Sequence, residues 1–163
     1  DRSSAASDVY KRQIHMKTIE REMKELIAAD SNICRNYKLL TSIKGVGPIT
    51  AIVMLCSTLN FTKITDHRKF ACYCGLAPFE HSSGTSVRGG CHTSSMANRD
   101  IKVQLNRSAL IAIRCDPQLK AYYERKVAEG KHKFSVLNAV RAKIAARCFA
   151  VVRRGTPYVA LQI

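Results

Sequence analysis

A chain of 163 residues with 46% apolar residues and no tryptophan is long enough to bury a core and too apolar to be disordered. Lysine and arginine outnumber aspartate and glutamate by 27 to 12, which gives a formal charge of +15. Such an excess favours a polyanionic partner, with nucleic acid first, and no run is apolar enough to span a membrane.

The first segment, residues 1–35, is predicted to be a charged amphipathic arm, whose helix runs from about residue 9 to residue 29 after a short frayed start at residues 1–7. A narrow apolar stripe flanked by charges is typical of a coiled-coil arm, through which the chain would form a homo-oligomer. A helix packed along its own domain is the alternative. The stripe consists of apolar side chains at helical spacing, namely Ile14, Ile19, Met23, Leu26 and Ile27.

Residues 36–163 are predicted to form one compact helical domain that begins with a glycine turn between two helices. The first of these helices ends near residue 43, and the second begins at about Pro48. Helix, glycine turn, helix is the helix-hairpin-helix pattern, which directs backbone N–H groups at a DNA phosphate. A tight corner that serves packing alone is the alternative. The candidate nucleic-acid-binding residues are Lys44, Gly45, Val46, Gly47 and Thr50.

A short helix over residues 66–73 should follow, with Thr65 as its N-cap and Gly75 at its end. Then comes a long polar segment, residues 84–102, of the composition expected for a phosphate-handling surface. An ordinary surface loop is the alternative. The candidate phosphate-binding residues, grouped around the serines Ser86, Ser94 and Ser95, are Arg88, His92, Asn98, Arg99 and Lys102.

Three further helices are predicted, over residues 97–113, 117–130 and 133–153, and no segment has the pattern of a strand, so the fold class is all-α. Asp116 and Pro117 supply an N-cap and a first-turn proline, and Gly155 ends the last helix. The last helix also carries a basic face. The predicted core positions are Ile101, Leu105, Ala109, Leu110, Ile113, Phe134, Leu137, Val140, Ile144, Phe149 and Val152.

The seven cysteines are odd in number and scattered, and no secretory signal peptide precedes them, which indicates reduced thiols in a cytoplasmic compartment. We expect Cys56 and Cys148 to be buried as small apolar residues. Cys-x-Cys followed by an adjacent Cys-His pair is not a zinc-ligand spacing, so no metal site is predicted in this chain. The residues considered are Cys72, Cys74, Cys91 and His92.

From about residue 39 to residue 158 the chain resembles the C-terminal, serine-bearing domain of bridge-RNA-guided insertion-sequence transposases, which carry a RuvC-like nuclease domain and a coiled-coil arm before it. The matching pieces occur in order along the chain and are specific in combination. They are Ile43-Lys44-Gly45-Val46-Gly47-Pro48, Cys74-Gly75-Leu76-Ala77-Pro78, Ser82-Ser83-Gly84, Thr93-Ser94-Ser95-Met96-Ala97-Asn98-Arg99 and the helix over residues 116–131.

The resemblance implies that Ser94 is the recombination nucleophile, with His92 at the basic position of the family's pattern. Thr93 replaces the usual aliphatic residue, and Ser95, where Lys or His is more familiar, is the fallback nucleophile. The implied reaction is attack on a DNA phosphodiester, which gives a phosphoserine link and a free 3′ end. Such a transfer depends mostly on positioning and on neutralising charge.

The resemblance also implies Mg²⁺ held by the missing RuvC-like domain, a guide RNA, and a bacterial, nucleoid-associated protein. No cluster of carboxylates for two-metal catalysis occurs here, so this chain alone is expected to bind nucleic acid without cleaving it efficiently. Two alternatives stay open. One is a non-catalytic helix-hairpin-helix module that binds nucleic acid, and the other is a coiled-coil oligomerisation domain with incidental charge.

Overall fold

The computed structural model describes residues 2–77, 82–83, 87–88 and 97–160, and it confirms the all-α prediction. Two compact units are present, Asp1–Arg35 and Asn36–Ile163. Within the described ranges the chain forms seven helices: α1 (Arg2–Ala29), α2 (Ser31–Thr41), α3 (Pro48–Thr58), α4 (His67–Tyr73), α5 (Arg99–Cys115), α6 (Pro117–Ala128) and α7 (Lys133–Arg154).

One short β-ladder was not predicted. The two-residue strands β1 (Ser82–Ser83) and β2 (Val87–Arg88) pair antiparallel, with Ser82 opposite Arg88 and Ser83 opposite Val87. Strands this short carry no alternation of apolar and polar residues, so the sequence pattern holds no signal for them.

The first unit is dominated by α1, which begins at Arg2, so the expected frayed start at residues 1–7 is wrong. No glycine or proline occurs among these residues, and nothing there interrupts a helix. The predicted apolar stripe is solvent-facing: Leu26 is 73% exposed, Ile14 and Ile19 are also exposed, and only Met23 and Ile27 are half-buried. The helix therefore offers a long apolar stripe to solvent.

The second unit is built around α5, which packs against α3, α6 and α7, while α4 packs on α7. An aromatic cluster joins these layers, because the rings of Phe61 and Phe70 lie 4.9 and 5.4 Å from that of Phe149. Burying such rings is among the larger contributions to a small core. The largest fully buried aliphatic side chains are Leu40, Ile43, Met54, Leu105, Leu119 and Ile144.

Four predictions about burial are decided by the structure. Cys148 is buried as expected, and burial raises its pKa to about 12. Cys56 is exposed, because it lies on the outer side of α3. Leu110 is 41% exposed, since the buried face of α5 runs through Leu105, Ser108, Ala109 and Ala112 instead. Phe134 is 71% exposed, in the first turn of α7 before the first buried position of that helix.

The predicted helix ends are mostly confirmed. Asp116 caps α6 with Pro117 in the first turn, and Gly155 ends α7 with a φ of 69°. The N-cap of α4 is Asp66 rather than Thr65, because the carboxylate of Asp66 accepts the amide hydrogen of Arg68. An aspartate at this position also interacts favourably with the positive end of the helix.

A buried ion pair fastens the C-terminal segment to α6 and α7. One carboxylate oxygen of Asp116 accepts hydrogen bonds from Arg147, at 2.7 Å, and from the Tyr158 hydroxyl, at 3.4 Å. The guanidinium of Arg147 also lies 4.7 Å from the centre of the Tyr158 ring. The amide of Tyr158 donates to Ser42 Oγ, at 2.8 Å, just after the end of α2. Residues 116, 147 and 158 are thus held together at one end of the unit.

Candidate nucleic-acid interface

The glycine turn before α3 is packed against α5. Gly45 has a φ of +95°, and a Cβ at this position would lie 2.6 Å from the carbonyl oxygen of Ser108 and 2.8 Å from Cβ of Ala112. Glycine is needed here for the backbone angle and for the close approach. Gly45 therefore serves the packing of the turn against α5, as in the alternative interpretation of the turn as a tight corner.

Two of the predicted contact residues in this turn face inward. Val46 is buried, and its amide already donates to the carbonyl of Ile43. Thr50 is also buried, and its hydroxyl lies 3.0 Å from that of Ser108. Neither side chain faces solvent, so the structure lends no support to Val46 and Thr50 as direct phosphate contacts, and that assignment stays a prediction. Their apolar and hydroxyl groups join α3 to the core.

The outer part of the same turn is open. The Lys44 side chain is exposed, and a Cβ at Gly47 would meet nothing within 4 Å. Gly47 is the N-cap of α3 and provides no side-chain cap. The first i to i−4 hydrogen bond of this helix runs from Ala51 to Gly47, which leaves the amide of exposed Ile49 available to an outside acceptor.

The predicted serine loop lies mostly outside the described residues. This applies to Ser86, His92, Ser94 and Ser95 and to the side chain of Arg88, whose backbone belongs to β2. The structure gives no geometry for these side chains, and their assignment stays a prediction.

The residues that follow the loop are described, and Asn98 begins α5. Its side-chain oxygen accepts the amide hydrogens of Asp100 and Ile101, at 3.1 and 3.2 Å, which makes it the helix N-cap. Its own amide donates to the carbonyl of Tyr73, at 3.0 Å, and so ties the start of α5 to the end of α4. The next residue, Arg99, is exposed at the same helix terminus.

Lys102 lies one turn further along α5 and is half-buried. Its Nζ donates to the carbonyl of Gly75, at 2.9 Å. Burial, and then the positive charge of Arg141, lower the pKa of Lys102. The lysine therefore braces the end of α4 within a basic environment, a contact that the sequence alone did not indicate.

Arg141 of α7 completes this basic region, and it was missed as a site residue. Its guanidinium donates to Asn106 Oδ1, at 2.7 and 3.1 Å, and to Asn138 Oδ1, at 3.3 Å. Asn138 in turn donates to the carbonyl of Leu76, at 2.8 Å. In the sequence, Arg141 is only one of several basic residues on α7. It differs from them by its hydrogen bonds to Asn106, which is 35 residues away in the chain.

The rest of that basic face is partly engaged within the fold. Arg147 is paired with Asp116, and Lys143 Nζ lies 4.4 Å from the centre of the Tyr122 ring. Arg153 and Arg154, at the end of α7, are exposed. The face is thus divided between internal contacts and solvent-facing charge.

Metal ligands are not clustered in the part of the chain that the structure describes: no group of three His, Cys, Asp or Glu side chains there could hold an ion. Burial raises the pKa of the Cys74 thiol to about 12, so this cysteine is protonated at neutral pH. Cys91 and His92 lie outside the described residues. Among the described helices, none combines the length and apolarity that crossing a membrane requires.

The described residues form a helical domain with a glycine turn and a surplus of exposed cations, and comparison with known proteins identifies the family. Residues 37–124 match the family model described as "Transposase IS116/IS110/IS902 family". The matched range covers more than half of the chain. The chain belongs to this family.

Individual relatives are similar over most of the chain. The chain is 39% identical over 121 residues to the "Insertion element IS110 uncharacterized 43.6 kDa protein" of Streptomyces coelicolor, which covers 74% of the chain and 29% of that protein. It is 23% identical over 141 residues to the "Pilin gene-inverting protein" of Moraxella bovis, covering 86% of the chain and 44% of the relative. The chain thus spans less than half the length of these relatives.

Proposed function

We propose that the chain is the DNA-binding catalytic C-terminal domain of an insertion-sequence transposase or recombinase. The observation that carries this proposal is the family match over residues 37–124. The net charge of +15 supports DNA as the partner, and one relative carries gene inversion in its name, which is a DNA rearrangement.

Ser94 is the proposed nucleophile, with Ser95 as the fallback. Its hydroxyl oxygen loses its proton and attacks the phosphorus of a DNA phosphodiester, the bond from phosphorus to the 3′ oxygen breaks, and the leaving 3′ oxygen takes up one proton. The products are a phosphoserine link and a free 3′ hydroxyl. Exposed Arg99 at the start of α5 supports this assignment, because it follows the serines closely in sequence and places a cation beside a helix N-terminus.

The magnesium ion implied by the family resemblance does not fit the described residues, which contain no cluster of three ligands. We therefore assign Mg²⁺ to a RuvC-like domain outside this chain and derive no step through it. Without converging carboxylates, the chain alone should bind DNA and cleave it poorly.

The open side of the glycine turn is the second proposed DNA contact. Lys44, the accessible Gly47 and the uncapped amide of Ile49 at the start of α3 can meet a backbone phosphate without reading sequence. The contact set is narrower than the sequence predicted, because Val46 and Thr50 are buried.

Two further assignments concern partners. The exposed apolar stripe of α1 supports pairing of this helix with that of a second copy, as in a coiled coil. A guide RNA, which the family resemblance implies, would choose the target by base pairing, so that no side chain here needs to determine sequence specificity.

A non-catalytic binding module is the second candidate function, and the glycine turn favours it, since its phosphate contact requires no serine. The two functions are separated by Ser94→Ala in the full-length protein. Recombination lost with DNA affinity intact supports a catalytic serine, and Ser86→Ala is the matched control within the same loop. Recombination that survives in both Ser94→Ala and Ser95→Ala would leave only the binding module.

A further inference from the structure

A groove between α4, α5 and α7 combines cationic side chains with an exposed aromatic ring. Its volume is about 860 Å³, within the roughly 300–1,000 Å³ typical of sites for small ligands. Arg68 of α4 and Lys102 of α5 line it, together with Phe134, Asn138 and Arg141 of α7. The three α7 residues are four and three positions apart, so they share one face of that helix.

Two cations of this groove, Lys102 and Arg141, have only neutral hydrogen-bond partners among the described residues. Lys102 donates to a backbone carbonyl, and Arg141 donates to two asparagine oxygens. None of the ion pairs in the described part of the chain includes either residue. Both side chains are half-buried and line the same groove, where their like charges repel each other, and a bound anion would relieve that repulsion.

Phe134 is unusual for its position. It is 71% exposed, and the ring of His132 lies beside it, with its centre 5.6 Å away at an interplanar angle of 26°. A phenylalanine that contributes little to the core and lines a basic groove has the chemistry of a base-stacking platform. In proteins that bind single strands, aromatic side chains stack on bases while nearby cations hold the backbone.

We propose that this groove holds an unpaired nucleotide, with its base on Phe134 and its phosphate against Lys102 and Arg141. A paired base inside a duplex is covered by its neighbours, so the occupant is a single strand or an extruded base. The proposal rests on the proposed binding of nucleic acid and goes beyond it, because it names the site and the strandedness. A DNA strand and a guide RNA share the chemistry that the groove recognises.

The test measures binding of the 163-residue chain to a short labelled DNA strand, the RNA of the same sequence and a DNA duplex by fluorescence anisotropy. Phe134→Ala is expected to weaken single-strand binding roughly 5- to 100-fold and to leave duplex binding unchanged. Ile111→Ala removes an exposed apolar side chain from α5 and serves as the matched control, with no loss expected. The strand that loses more affinity, DNA or RNA, identifies the natural source.

Two further variants probe the base and the phosphate separately. The chain contains no tryptophan, so Phe134→Trp places a single fluorophore in the groove; it should retain affinity and be quenched by a single strand. Lys102→Gln should lower the slope of log affinity against log salt for a single strand by about 0.7, the value for one phosphate contact. Thermal melting of each variant confirms that it is folded.

The outcomes are distinguishable. Phe134→Ala that binds single strands as wild type does, or that weakens single strands and duplex equally, overturns the groove proposal, as does an unquenched tryptophan. A wild-type chain that binds duplex but no single strand overturns the groove while leaving the proposed function standing. A wild-type chain that binds no nucleic acid overturns the proposed function itself.

Discussion

Asp116→Asn should destabilise the second unit by about 3 kcal/mol. Asparagine is as good an N-cap as aspartate, and its side-chain oxygen can still accept the amide of Leu119, which lies 3.1 Å from the carboxylate. The change therefore removes mainly the charge opposite Arg147. Breaking a buried ion pair costs about 3–5 kcal/mol, and the low end applies because Arg147 keeps Gln118 as a partner at 2.6 Å.

Thermal or urea unfolding followed by circular dichroism measures the effect. For a domain of this size, about 3 kcal/mol corresponds to a fall of roughly 6–12 °C in Tm. Asp66→Asn is the matched control, since it changes an aspartate N-cap of the same kind at the exposed start of α4, and it should cost less than about 0.5 kcal/mol.

Equal losses in Asp116→Asn and Asp66→Asn would refute the reasoning, because the buried pair would then contribute no more than a helix cap. The double variant Asp116→Asn with Arg147→Met gives a second check. Removing the unpaired cation should recover part of the lost stability. A double variant as unstable as the sum of both single changes would show that the two side chains act independently.

Three other outcomes can be measured with the same unfolding assays, joined for the last one by a DNA-binding titration. The pKa of Asp116 lies below its ordinary value in the folded state. The stability that its carboxylate contributes is therefore complete above the unfolded-state pKa near 3.9 and is lost as pH falls through the native pKa. Below about pH 4 the wild type should lose stability more steeply than Asp116→Asn. Gly45→Ala should cost about 3 kcal/mol or more through its left-handed backbone and the contact with Ser108, whereas Gly47→Ala should be near neutral. Thr50→Val should lower stability by about 1 kcal/mol and leave DNA affinity unchanged; a loss of affinity without a loss of stability would restore Thr50 as a contact.

The pKa of Asp116 is lowered although the causes that act on it oppose one another. Burial raises its pKa, but the amide of Leu119 and the hydrogen bond and charge of Arg147 lower it more. The network therefore favours the ionised carboxylate. Burial likewise raises the pKa of Tyr158, which keeps its hydroxyl protonated as a donor to the same carboxylate.

Helices and their ends could be predicted because their signals are local. Pro48, Asp116 with Pro117, and Gly155 act within one helical turn, and each lies at the terminus that its chemistry favours. The predicted N-cap of α4, Thr65, is one residue before the observed N-cap, Asp66. Both side chains can cap a helix, and only the backbone angle decides between them.

Burial and site geometry depend on partners far along the chain, and here sequence reasoning was weaker. Periodicity placed Phe134 in the core, although the neighbours that cover α7 begin only at Val136. Thr50 was taken for a phosphate contact because no local pattern shows that Ser108 lies opposite it. Lys102 was predicted as a phosphate contact from its place near the serine loop, but only the tertiary structure brings it into the same groove as Arg141.

The hydrogen bond between Tyr158 and Ser42 bears on whether the order of the helices along the chain of the second unit can be changed. It joins a residue at the start of this unit to one 116 positions later. Units whose two ends lie close together tolerate circular permutation, because a short linker can join the original ends while new ends are made elsewhere. A variant that joins residue 158 to residue 36 and opens the chain between α6 and α7 at exposed Gly130 should therefore retain the fold of this unit.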